Sequence, residues 1–142
     1  MERKFKGISL LFALAALYDG VLGLAFLFFG RAIFQLFNVT PPNHIGYVQF
    51  PGALLIVFAL MFLAVARRPV ANRNLIPYGI LLKISYCSTV FSHWFTAGIP
   101  NMWKPFAICD LVFIILFGWA YTVLSERRPA RESITGPGFG GS

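Results

Sequence analysis

The chain has 142 residues, of which 58% are hydrophobic, 17% are aromatic and only 12% are charged. Soluble globular domains carry about 25% charged residues, so this composition argues against a water-soluble fold, a disordered chain and a disulfide-framed secreted domain. The mean hydropathy of +0.73 points instead to an all-α integral membrane protein, because helices satisfy their own backbone hydrogen bonds in lipid.

Four apolar windows of 20 to 22 residues follow one another along the chain. A helix needs about 20 residues to cross about 30 Å of hydrocarbon, so each window is predicted to be a transmembrane helix. The windows are Ile8–Phe29, Tyr47–Ala66, Leu75–Phe95 and Pro105–Leu124. We expect residues 1–124 to form a single four-helix domain, followed at 125–142 by a flexible, basic and glycine-rich cytoplasmic tail.

The connections between the windows are short, which predicts an antiparallel up-and-down four-helix bundle. The first connection has the clearest sequence features of the three. Its apolar segment 31–37 is predicted to form a short interfacial helix on the outer membrane surface, and Pro41 and Pro42 then impose an extended turn. Trp94 and Trp103 flank the second outer connection, where indole rings favour the level of the lipid headgroups.

Lysine and arginine are distributed unevenly among the segments outside the windows. The N-terminus, the middle connection and the tail hold nine, namely Arg3, Lys4, Lys6, Arg67, Arg68, Arg73, Arg127, Arg128 and Arg131; the other two connections hold only Arg31 and Lys104. Cytoplasmic segments retain positive charge, so both termini and the middle connection are predicted to be cytoplasmic. The small size and the absence of targeting motifs favour a bacterial inner membrane. The net charge of +7 then reflects topology and attraction to the lipid bilayer, and no nucleic-acid partner is expected.

Three charged residues lie inside the windows: Asp19, Lys83 and Asp110. A charge at the bilayer centre costs about 2.5–3.5 kcal/mol, so each needs a partner or a wet cavity and is a functional candidate. Counting about 1.5 Å per residue from the outer helix ends predicts two levels of polar side chains. The deep level holds Asp19, Lys83 and Tyr86, and the outer level holds Asp110 and His93, with Gln49 and His44 as further candidates.

Two interpretations of Asp19 and Lys83 stay open. They form either a buried ion pair that fixes which helices touch, or a protonatable site for transport or acid–base chemistry. For His93 and Asp110 we favour a hydrated, hydrogen-bonded pair. A metal ion needs three or four ligands, and the candidate ligands lie at mismatched depths, so no metal site is predicted.

The third window carries an unusual number of hydroxyl groups. Ser85, Ser88, Thr89 and Ser92 lie on one side at helical spacing, and such hydroxyls can bond the carbonyls of their own helix. With Lys83, Tyr86, Cys87 and His93 they make eight polar residues within eleven, and most of these eight side chains are expected to face protein, because polar groups in a membrane avoid lipid.

Short glycine-containing motifs carry a resemblance to a known family. They are Tyr18-Asp19-Gly20-Val21-Leu22-Gly23, Phe34-Gln35-Leu36-Phe37, Tyr47-Val48-Gln49-Phe50-Pro51-Gly52 and Ala66-Arg67-Arg68-Pro69. Over about residues 8–124 the chain resembles the small four-helix DoxX-like membrane proteins, which are similar in plan to the EXPERA sterol-isomerase and sterol-sensing proteins. The resemblance implies a bundle with a central cavity and a role as an oxidoreductase subunit or a lipophile binder.

Three functions are compatible with these observations. The favoured one is a non-catalytic accessory subunit of a larger membrane redox assembly, or a binder of a lipid or quinone-like molecule between the helices; its partners would be other membrane subunits or further copies of the chain. The second is a proton-coupled small-molecule transporter that uses Asp19, whose position resembles that of the acid in the small multidrug resistance transporters, although their Glu-centred motif is absent here. The third is a membrane isomerase or oxidoreductase acting on a lipophilic substrate.

Overall fold

The computed structural model describes residues 2–126, and within this range it is all-helical, with no strand. The four long helices are α1 (Glu2–Leu36), α2 (Gly46–Arg67), α3 (Ile76–Phe95) and α4 (Lys104–Ser125); 3-10 turns at Arg73–Leu75 and Asn101–Trp103 lead into α3 and α4. All four helices are long and apolar enough to cross a membrane, which confirms the all-α class and the presence of four helices of that length. The predicted tail lies, from residue 127 onward, outside the described residues.

The predicted windows match α2, α3 and α4 to within one residue at each end, but α1 is much longer than its window. Hydropathy marks only the apolar part of a helix, and α1 continues from polar residues near its start to Leu36. The segment predicted as a separate interfacial helix is therefore the last part of α1. A break in helical geometry at Phe29 (φ −122°, ψ 19°) sets this segment off from the rest of the helix.

Helices α1 and α2 approach closely because glycines face each other. A Cβ atom on Gly23 would lie 2.6 Å from the carbonyl oxygen of Gly52, and one on Gly52 would lie 3.0 Å from the carbonyl oxygen of Gly23. No other residue type fits at this crossing without moving backbone. Small residues are the usual means by which membrane helices pack closely, since water does not drive their association.

The molecule is built from two closely packed helix pairs, α1 with α2 and α3 with α4, and these pairs touch each other at few points. They meet in an aromatic core made by Phe12, Phe62 and Phe117, all fully buried. The Phe12 and Phe117 rings stack with centroids 4.6 Å apart, and Phe62 lies 5.2 Å from Phe117. This core joins all four helices, because Ile76 at the start of α3 packs into the same cluster.

The connection between α2 and α3 caps the neighbouring helix ends. The Asn72 side-chain amide donates a hydrogen bond to the carbonyl of Ala64 at 2.9 Å, and the Arg73 guanidinium donates one to the carbonyl of Leu124 at 3.3 Å. Carbonyls in the last turn of a helix have no partner within the helix. The connection therefore satisfies the ends of both α2 and α4 and ties the two pairs together at this end.

Candidate functional site: a buried charge triad beside an apolar cavity

The three charges predicted inside the membrane form one cluster. The ammonium nitrogen of Lys83 lies 2.7 Å from Oδ1 of Asp19 and 2.9 Å from Oδ1 of Asp110. Asp19 and Lys83 are each 1% exposed, and Asp110 is 7% exposed. This charge triad brings α1, α3 and α4 together, and it confirms the predicted contact between Asp19 and Lys83.

The prediction of two separate polar levels is wrong, because Asp110 belongs to the same cluster as Asp19. Two physical effects were missing from the depth count. The turn Asn101–Trp103 runs directly into α4, so Asp110 lies about three residues, or about 5 Å, further from its helix end than assumed. The four-carbon stem of Lys83 then allows its charge to lie away from its own backbone level.

The Lys83 ammonium is held by aromatic rings as well as by the two carboxylates. It lies 5.3 Å from the ring centroid of Tyr18, 5.2 Å from that of Phe113 and 5.7 Å from that of Phe62. Each distance is within the range at which an aromatic face attracts a cation. Lys83 is thus surrounded by groups that fix its position, and it is not a mobile side chain.

The oxygens of the triad are less completely paired than its nitrogen. Oδ2 of Asp19 is buried without a hydrogen-bond partner among the described residues, and the contact from Oδ1 of Asp110 to Lys83 falls short of hydrogen-bond geometry. The buried Tyr18 hydroxyl likewise makes no hydrogen bond of good geometry, and the group beside it is the weakly polar thiol of Cys109. Buried polar atoms are rarely left unpaired, so these atoms indicate where a further group is expected.

A cavity of about 590 Å³ lies between the helix pairs, with the triad at one end. Its volume falls within the range of about 300–1,000 Å³ that is typical of small-molecule sites. Every helix contributes to its wall, which is mostly apolar: Leu22, Phe26, Phe34, Val48, Pro51, Leu54, Leu55, Leu82, Trp103 and Phe106 line it beside Tyr18, Tyr86 and the three charged residues. The cavity reaches the surface along α2, where the lining residues Tyr47 and Leu54 are 73% and 40% exposed.

The other predicted site residues do not join the triad. Tyr86 lines the cavity, but its hydroxyl donates a hydrogen bond to the carbonyl of Trp103 at 2.9 Å. Gln49 is exposed and donates to the carbonyl of Leu27 at 3.4 Å, and His44 accepts a hydrogen bond from the backbone N–H of Gly46.

The predicted pair of His93 with Asp110 is wrong: His93 is exposed near the end of α3, whereas Asp110 contacts Lys83.

The hydroxyl groups of α3 bond their own helix as predicted. Ser85 donates to the carbonyl of Leu81, and both Ser88 and Thr89 donate to the carbonyl of Ser85. The expectation that most of the eight polar side chains of this window face protein is wrong for the isolated chain, because five of them are exposed: Ser85, Ser88, Thr89, Ser92 and His93. The buried side of α3 consists instead of Ile76, Gly79, Lys83, Cys87 and Val90.

Within residues 2–126 there is no group of three or more side chains that could hold a metal ion. Both cysteines are free thiols, Cys87 buried and Cys109 exposed. The arrangement that remains is a set of charges and aromatic rings next to an apolar space. Such a site can hold a molecule that has an apolar body and a polar end.

Two features of the site were not predicted: the aromatic residues that line the cavity, and the membership of Asp110 in the triad. Tyr18 and Trp103 line the cavity, yet aromatic residues are so frequent in the chain that nothing in the sequence marks these two as lining a cavity. The participation of Asp110 did have a signal in the sequence. When the spans together contain one basic and two acidic residues, a single cluster leaves fewer uncompensated charges than two separate levels do.

The comparisons with known proteins leave the site to be interpreted from its own geometry. The chain matches no protein-family model, no curated protein and no solved structure.

Proposed function

We propose that this protein is a non-catalytic membrane protein that binds a lipophilic small molecule, such as a lipid or a quinone-like compound, in the cavity beside the charge triad. The observation that carries the proposal is the cavity itself, which has a mostly apolar wall and a single charged end. A closely packed bundle would fill this space with side chains. The chain has 16 phenylalanines that could do so, and three of them, Phe12, Phe62 and Phe117, fill the core in the opposite half of the molecule.

Entry of the molecule from the lipid is part of this proposal. Helices α2 and α3 touch at few points, and residues from both helices line the cavity, including Leu54 on α2 and Leu82 on α3. An opening on this side faces the hydrocarbon when the helices span a bilayer. A lipophilic molecule would then reach the site without crossing water.

The proposal is tested by purifying the protein in a mild detergent and identifying bound lipophiles by mass spectrometry. Leu55 lines the cavity, so Leu55→Trp should occupy part of it and reduce the bound lipophile about tenfold, since overfilling costs about 1–3 kcal/mol. Leu60→Trp is the matched control, because Leu60 is on the same helix, 63% exposed and absent from the cavity wall. Equal occupancy in both variants, or no lipophile in the parent protein, would contradict the proposal.

We further propose an antiparallel bundle with both termini and the connection between α2 and α3 in the cytoplasm of a bacterial inner membrane. The contacts between α1 and α2 support this arrangement, because Gly20 lies against Ala59 while Gly30, later in α1, lies against Val48, earlier in α2. The distribution of Lys and Arg supports the cytoplasmic side. The last part of α1, after Phe29, would lie at the outer surface.

Membership of the DoxX-like proteins also stays a proposal, supported by the four helices and by the cavity that the resemblance implies. Its glycine motifs have a clear role in this chain. Gly23 and Gly52 belong to two of them, and they form the closest approach of α1 to α2.

A second candidate function, as a subunit of a larger membrane assembly or a homo-oligomer, is favoured by the exposed hydroxyl groups of α3. Small and hydroxyl-bearing residues are enriched where membrane helices meet. Replacing Ser88 by leucine should then shift the assembly to a smaller size in native mass spectrometry, whereas Leu81→Phe on another exposed position of α3 should not. A protein that is monomeric in native membranes before any substitution would contradict this candidate.

A further inference from the structure

The charges that face the cavity do not balance. Among the described residues that line it, Asp19 and Asp110 are acidic and Lys83 is the only basic one. With all three ionised, the triad carries a net charge of −1. An uncompensated charge away from water is costly, and protein structures usually pair it.

The triad also has a buried hydrogen-bond acceptor that lacks a donor. Oδ2 of Asp19 is a buried acceptor without a donor, in a side chain that is 1% exposed and lines the cavity. The Lys83 ammonium makes no hydrogen bond to this oxygen; it bonds Oδ1 of Asp19, lies 2.9 Å from Oδ1 of Asp110 and faces three aromatic rings. The site therefore offers acceptors and negative charge to whatever enters the cavity.

We infer that the ligand of this cavity is a lipophilic amine in its protonated form, with its ammonium group against Asp19 and its apolar body among Leu22, Phe26 and Leu55. This inference rests on the proposed function and specifies its ligand class. An ammonium donates hydrogen bonds to the unpaired oxygen and brings the cluster to neutrality. The rings of Tyr18 and Phe106, which line the same space, add surfaces that attract cations.

Other head groups fit this end of the cavity less well. A carboxylate or phosphate would make the net charge of the triad and ligand −2 or more negative. A quinone presents only carbonyl oxygens, which are acceptors and cannot pair with the free oxygen of Asp19. A neutral alcohol donates one hydrogen bond but leaves the charge uncompensated.

The inference is tested with probes that share one tail and differ in the head: decylamine, decanol, decanoate and a decyl-substituted quinone. The protein is placed in nanodiscs of zwitterionic lipid, and its unfolding temperature is measured at matched membrane concentrations of each probe. Decylamine should raise the Tm by about 5 °C or more near saturation, and the other three should raise it less.

Asp19→Asn should remove this selectivity, because the remaining Lys83–Asp110 pair is already neutral; amine affinity should fall at least about tenfold, as expected for loss of a charged partner. Asp110→Asn also leaves a neutral pair and provides a second variant if the first folds poorly. Glu2→Gln, an exposed acid-to-amide change outside the cavity, is the matched control and should respond like the parent.

Three results would overturn the inference. The first is an equal decylamine shift in the parent and in Asp19→Asn, which would place the effect in the bilayer. The second is a larger shift with decanol, decanoate or the quinone, which would leave lipophile binding intact and change only the ligand class. If no probe shifts the Tm, the amine assignment is wrong as well, and the mass-spectrometric search for bound lipophiles decides the proposed function separately.

Discussion

Lys83 is the residue on which the buried charges depend, because it is shared by two carboxylates. Removing it leaves Asp19 and Asp110 close together without a counter-ion, whereas removing either acid leaves one neutral pair. Deleting one partner of a buried ion pair typically destabilises a protein by about 3–5 kcal/mol. We therefore expect Lys83→Met to lose about this much free energy of unfolding, and Asp19→Asn or Asp110→Asn to lose clearly less, as measured by unfolding in mixed micelles.

A control for this prediction is Lys104→Met. Lys104 contacts Asn101 and lies 4.7 Å from the ring centroid of Trp94, so its loss should cost no more than about 1 kcal/mol. Combining Lys83→Met with both Asp-to-Asn changes should restore much of the stability, because no charge is then left unpaired. A single Lys83→Met variant as stable as the parent would show that the triad is not the ion cluster described above.

At the residue scale, the sequence was sufficient to identify all three buried charges and one of their two contacts. Charges in an apolar span are conspicuous, and their burial follows from the cost of exposing them to lipid. The contact of Asp110 with Lys83 was missed because depth along a helix locates a backbone atom, while a long side chain carries its charge elsewhere. The lack of a hydrogen-bond partner for Oδ2 of Asp19 depends on how three helices pack against one another, and the order of residues along the chain does not predict it.

At the scale of the elements, the crossing of α1 and α2 depends on two glycines. Gly23→Ala would place a Cβ atom 2.6 Å from a backbone oxygen of Gly52, so the helices must move apart. We expect a loss of about 1–3 kcal/mol, typical of overpacking, measured as a decrease in unfolding free energy in micelles.

Gly118→Ala is the comparison for this substitution. Position 118 lies within α4, and a Cβ atom there meets nothing within 4 Å, so the higher helix propensity of alanine should leave stability unchanged or increase it by up to about 1 kcal/mol. If both variants behave alike, close packing at Gly23 does not hold α1 against α2.

Helix bounds were predictable where the polar flanks coincide with the helix ends, as in α2, α3 and α4. They were not predictable for α1, since a helix can continue into polar sequence at low cost once its apolar part is formed. The last part of α1 was predicted to be helical, and it is helical as far as Leu36. Its continuity with the span depends on the backbone at Phe29, which hydropathy does not report.

For the whole molecule, the proposed topology places the α2–α3 connection in the cytoplasm and the α1–α2 connection outside. In a background with Cys87→Ala and Cys109→Ala, a membrane-impermeant maleimide should label Asn43→Cys in intact cells and Val70→Cys only after the membrane is broken. Both positions are exposed, so differences in labelling reflect sidedness. The reverse pattern would invert the topology without altering the fold.

The two halves of the molecule differ in how completely their interiors are filled, and this difference bears on movement across a membrane. Phe12, Phe62 and Phe117 close one half completely, while the cavity occupies the other. A molecule in the cavity would reach the other half only if these three buried rings separated, and burying each such ring is worth about 1.5–3 kcal/mol. Under the proposed function, we therefore expect the occupancy of the site to follow the lipophile content of the surrounding membrane, without work against a gradient.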